Sequence, residues 1–135
     1  MKNSKVLKVI LFISGLIAIS IGATILTMPV DFYAASGINL NGDVSLLNEV
    51  RASGGALLAC GLLITLGAFV DRLTFTSAVI STLLYLSYGL SRLMSMLIDG
   101  MPGDALIQAV ILELVIGLVC VVAFVKFSIK ESRAI

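Results

Sequence analysis

Residues 105–127 read ALIQAVILELVIGLVCVVAFVKF, an apolar run interrupted by charge at Glu113 and, near its end, at Lys126. About 20 residues of helix cross the roughly 30 Å of bilayer hydrocarbon, so this run predicts a transmembrane helix with a carboxylate inside it. Three more stretches have the same character: about 6–28, 46–70 and 73–98. Together the four predict an all-α fold, an integral membrane four-helix bundle forming a single domain over residues 1–135. A short interfacial segment is expected at about 30–45.

Composition agrees. The chain is 59% hydrophobic and 13% charged, whereas a soluble domain carries about 25% charged residues. Mean hydropathy is +1.15. A net charge of +1 offers nothing that would attract nucleic acid. The absence of histidine removes the commonest metal ligand and the usual general base near neutral pH. No cofactor motif and no metal site are expected. Cys60 and Cys120 lie in apolar runs and read as small hydrophobes at helix contacts. The first stretch has a basic start at Lys2, Lys5 and Lys8, but its apolar run exceeds a signal-peptide core and no A-x-A site follows, which predicts a retained helix.

Orientation follows from the loops. Lysine and arginine gather at the N-terminus, at Arg72 in the second connection, and at Lys126, Lys130 and Arg133. The first and third connections carry only acids: Asp31, Asp43, Asp99 and Asp104. The positive-inside rule then puts both termini in the cytoplasm. On the outer side, Asp31 is expected to cap a short helix ended by Gly37, with Phe32 and Tyr33 at headgroup level. Asp43 or Ser45 is expected to cap the second long helix and Asp104 the fourth. Ser14, Ala18 and Gly22, and Ala52, Ala56 and Cys60, form small-residue stripes suited to close helix packing.

Charges at membrane depth mark the candidate site, because each costs about 2.5–3.5 kcal/mol on insertion scales unless satisfied. A rise of 1.5 Å per residue puts Arg51 about 6 Å, Arg92 about 10 Å and Glu113 about 14 Å inside the outer boundary. Long arginine side chains bridge such differences, so the three are expected to meet in one layer. Glu49 balances the charge. Tyr85, Tyr88, Arg92 and Asp99 recur at helical spacing on the third stretch, and Asn48 joins them from the second. The candidate residues are therefore Asn48, Glu49, Arg51, Tyr85, Tyr88, Arg92, Asp99 and Glu113. They read either as a network that fixes helix register or as a polar pocket for the head of an amphiphile.

Several of these segments carry a family resemblance. Pro29 with Phe32, Tyr33 and Gly37, then Asn48 to Ala52 with Gly54 and Gly55, then Arg92 with Ser95, Asp99, Gly100 and Pro102, and finally Glu113 and Leu114 resemble the bacterial membrane family catalogued as domain of unknown function 4345. Ser91 stands where the family pattern has glycine. The resemblance implies a four-helix protein of the bacterial inner (cytoplasmic) membrane and supplies no activity. A more distant likeness, in architecture alone, is to the DoxX-like small membrane proteins, some of which are linked to quinone or thiol redox chemistry. The leading expectation is a non-enzymatic binding or accessory module among membrane lipids, taking a lipid-like or small amphipathic molecule. The alternatives are a small proton-coupled transporter acting as a homo-oligomer, a membrane redox or enzyme subunit, and an assembly partner for another membrane protein.

Overall fold

The computed structural model describes residues 4–135. It is all-α, with five helices and one 3₁₀ turn: α1 (Lys5–Thr27), α2 (Pro29–Ala34), α3 (Val44–Leu66), the turn Asp71–Leu73, α4 (Thr74–Asp99) and α5 (Asp104–Ala134). No strand occurs among the described residues. Four segments are long and apolar enough to cross a membrane: α1, α3, the turn with α4, and α5. Their outer surfaces carry large apolar side chains such as Leu83, Leu97, Ile111 and Val122, a surface that water does not support and lipid does.

The bundle is built from two tightly packed antiparallel pairs, α1 with α3 and α4 with α5. Glycine sets the first pair. Gly22 faces the backbone of Leu58 and Gly54, while Gly54 faces Leu26 and Gly61 faces Ile19. A Cβ on Gly54 would stand 2.8 Å from the Leu26 nitrogen, and one on Gly61 would stand 2.7 Å from that of Ile19. The backbones therefore touch, which is how helices gain dispersion energy in lipid, where no hydrophobic effect drives them together. The expected stripe on α1 does face inward, with Ser14, Ala18 and Gly22 buried. That on α3 does not. Ala52 and Ala56 are exposed and Cys60 is only half-buried, while Gly54, Leu57, Gly61 and Ile64 face α1. Glycine permits a closer approach than alanine, and the tightest contact chose the face.

In the second pair Gly89 abuts Leu114 and Gly117 abuts Leu86. The two pairs meet less closely, leaving polar contacts and a cavity between them. Ser14 of α1 and Ser81 of α4 approach to 3.1 Å between hydroxyl oxygens, and Ser81 lies 3.2 Å from the Cys120 sulfur of α5. The Tyr85 hydroxyl donates to the Ser14 carbonyl. At the terminal end of the bundle, Leu7, Leu11, Ile64, Ala78 and Ala123 form one apolar cluster. At the opposite end Ala18, Ile25 and Leu57 form a second, covered by Phe32 and Tyr33 of α2.

Helix ends explain the boundaries. α3 stops at Leu66, although the apolar run continues to Val70: the Ala68 and Phe69 amides close tighter turns onto Thr65 and Leu66, and hydroxyls of α4 add hydrogen bonds to carbonyls at this end. Ser77 donates to Leu63 at 2.7 Å and Thr74 to Gly67 at 2.8 Å. Nothing comparable stops α5, which continues beyond Phe127 to Ala134. Asp43 caps α3 as expected, its Oδ1 accepting from the Leu46 amide at 2.9 Å. Asp31 does not cap α2. That helix begins at Pro29, whose missing N–H and fixed φ suit the first turn, so Met28 precedes it and Asp31 lies inside the first turn. Likewise Gly103, with extended backbone, precedes α5, and Asp104 is its first residue. Gly100, at φ 103°, ends α4. Lys8 of α1 and Asp71 of the 3₁₀ turn are ion-paired at 2.7 Å, tying the chain's start to the α3–α4 connection.

Candidate functional site

The α4–α5 register puts an arginine beside a carboxylate. Arg92 lies three residues beyond Gly89, and Glu113 just before Leu114, so the Gly89–Leu114 contact holds the two charged side chains within reach of each other. Arg92 Nε donates to both carboxylate oxygens of Glu113, at 2.9 Å to Oε2 and 3.2 Å to Oε1. The Glu113 side chain is 15% exposed and that of Arg92 35%. The Arg92 guanidinium carbon also lies 5.9 Å from the Tyr88 ring centroid, within cation–π range. The Tyr88 hydroxyl in turn reaches Ser53 of α3 at 3.5 Å.

The pair borders a cavity of about 180 Å³. Every helix contributes to its wall. Ile17, Ile21 and Ile25 come from α1, Phe32 and Tyr33 from α2, Ser53 and Leu57 from α3, Leu84, Tyr85, Tyr88 and Arg92 from α4, and Ala105, Leu106, Ala109, Leu112 and Glu113 from α5. Ser36 completes it. Most of the wall is aliphatic. Its polar groups are the Arg92–Glu113 pair and a few hydroxyls, a pattern in which apolar surface supplies affinity and a few polar atoms supply orientation.

Within the pair, the hydrogen bonds to Glu113 come from Nε alone. Among the described residues no other hydrogen bond from the Arg92 side chain is formed. Its two terminal nitrogens, which carry four of the five guanidinium N–H donors, thus have no hydrogen-bond acceptor among the described residues. Tyr33 lies outside the spanning helices. Burial raises its phenol pKa above 10, the nearby Tyr88 adds to this, and Arg92 acts in the opposite direction.

The candidate residues divide. Tyr85, Tyr88, Arg92 and Glu113 all line the cavity. Asn48, Glu49, Arg51 and Asp99 do not. Arg51 is exposed, and its Nη1 donates to the Leu26 carbonyl. The expected single layer of Arg51, Arg92 and Glu113 therefore does not form. The last carbonyls of α1 lack intrahelical partners because the chain turns at Pro29, and a cation is favoured at that negative helix end. Asn48 and Glu49 are exposed on α3. Asp99, two turns beyond Arg92, accepts from Ser95 Oγ at 2.9 Å.

Sequence reasoning missed Ser53, the cavity-facing role of Phe32 and Tyr33, and the Ser14–Ser81–Cys120 seam below. Ser14 was legible only as a small residue. The others needed a partner from a distant helix before they meant anything. Among the described residues no group of three or more Cys, Asp or Glu side chains could hold a metal ion.

No curated protein and no solved structure matches the chain. One family model does, over residues 6–124, a span that includes α3 and α4 whole, most of α1 and α5, and every residue lining the cavity. The chain belongs to that family, described as a domain of unknown function, DUF4345.

Proposed function

We propose that this protein is a membrane-embedded binding or accessory module whose cavity takes the polar end of a lipid-like or small amphipathic molecule. The observation that carries this reading is the half-used guanidinium of Arg92, which lines a mostly apolar cavity and is held by Glu113 through Nε, its terminal N–H donors making no hydrogen bond among the described residues. A pair that served only to fix helix register would gain from a bidentate fork, the stronger arrangement. Here the carboxylate fixes the arginine while a carbonyl, phosphate or carboxylate oxygen of the ligand meets the free side. The aliphatic wall from α1 and α5 takes the adjoining chain.

The distribution of lysine and arginine supports an orientation with both termini in the cytoplasm and the cavity in the outer half of the bacterial inner membrane. Proton-coupled transport through Glu113 has less support, because that carboxylate is engaged by a permanently charged arginine.

Ala109→Phe fills the cavity from α5 while keeping both charged residues in the sequence. Wild type and variant extracted into native nanodiscs are compared by mass spectrometry of their lipid extracts. The expected result is an amphiphile enriched with wild type over the bulk membrane and lost from Ala109→Phe. Identical extracts from the two proteins overturn the reading.

A further inference from the structure

At the terminal end of the bundle α1 and α5 pack loosely, and an apolar groove runs between them. Val6 and Ile10 form one wall, Val119 and Val122 the other, and Lys126 closes the end. Lys126 also lines a second, adjoining depression with Ile129, Lys130 and Arg133. The groove and the basic cluster are thus continuous through one side chain.

Helix length puts the cluster at the right depth. α5 runs for 31 residues, about 46 Å at 1.5 Å per residue. The hydrocarbon layer accounts for about 30 Å and the headgroup regions bring the total to about 40–45 Å. The last two turns of α5 therefore lie among headgroups while Val119 and Val122 lie beside acyl chains. Lys126, Lys130 and Arg133 follow four- and three-residue steps and share one face, with Glu131 on an adjacent face.

We propose that this groove is a binding site for an anionic phospholipid of the leaflet nearest the chain's ends. One acyl chain lies between α1 and α5, and the phosphate meets Lys126, Lys130 and Arg133. The occupant is a phospholipid rather than a free anion because the cations continue into an apolar groove open to the bilayer. It is anionic because three cations face one phosphate. This inference is independent of the cavity at the other end.

The test is native mass spectrometry of the detergent-purified full chain titrated with phosphatidylglycerol and phosphatidylcholine of identical acyl composition. Each basic residue near an anionic headgroup contributes about fivefold in binding, so wild type is expected to favour phosphatidylglycerol at least about tenfold. Lys126→Gln/Lys130→Gln/Arg133→Gln is expected to lose that preference. Val122→Phe changes a lipid-facing side chain, 64% exposed, and fills the groove with every charge retained. It is expected to weaken phosphatidylglycerol binding about threefold or more. Undiminished phosphatidylglycerol binding by Val122→Phe reduces the site to charge alone and overturns the proposal, as does a preference that survives the triple substitution.

Discussion

Arg92 and Glu113 face each other across the α4–α5 contact, with one arginine nitrogen shared between both carboxylate oxygens at 2.9 and 3.2 Å. The pair is neutral as a unit, and that neutrality makes two charges tolerable at this depth. Removing one partner leaves the other uncompensated in low dielectric, whereas removing both leaves apolar surface among apolar neighbours.

That asymmetry predicts the order of stabilities. Glu113→Leu alone is expected to cost about 3 kcal/mol, the lower end for a broken buried pair, because the Arg92 side chain keeps 35% exposure. Arg92→Leu/Glu113→Leu is expected to unfold at or above the wild-type midpoint in a denaturing-detergent titration. A double variant that is less stable than both singles contradicts this account of the pair.

The α1–α3 contact yields a sharper comparison between neighbouring glycines. A Cβ on Gly54 meets backbone at 2.8 Å, whereas one on Gly55 has only Leu26 Cδ1 at 3.9 Å. Gly54→Ala is therefore expected to destabilise the bundle by about 1–3 kcal/mol through overpacking. Gly55→Ala is expected to be neutral, or to stabilise by up to about 1 kcal/mol through helix propensity. Equal midpoints for the two variants in the same titration remove the claim that backbone contact sets this pair.

Orientation is open to chemical labelling. In a Cys60→Ala/Cys120→Ala background, Asn41→Cys lies in the connection between α2 and α3 and Ser132→Cys near the end of α5. A membrane-impermeant maleimide applied to intact cells is expected to label the first and spare the second. The reverse pattern inverts the proposed topology.

Much of the bundle was legible because its signals are local. The place of each long apolar run and the Asp43 cap each depend on a few contiguous residues. Family membership too followed from residues quoted in order along the chain. Arg92 and Glu113 stood out as charges within apolar runs, since such placement is costly wherever the side chains go. Arg51 looked equivalent by depth, yet its partner is a carbonyl freed by the turn at Pro29. Its role depends on where another helix ends.

The sequence by itself determined that four helices are long and apolar enough to cross a membrane, which chain segments they occupy, and that charges lie within them. Period, length and transfer energy act along one segment and require no partner. Only the tertiary structure decided which glycines touch, which face of α3 turns inward, and that Tyr33 and Ser53 join the Arg92–Glu113 pair around one cavity. In lipid the hydrophobic effect does not choose among helix faces. Close packing and polar contacts choose instead, and these depend on the register between helices far apart in the chain.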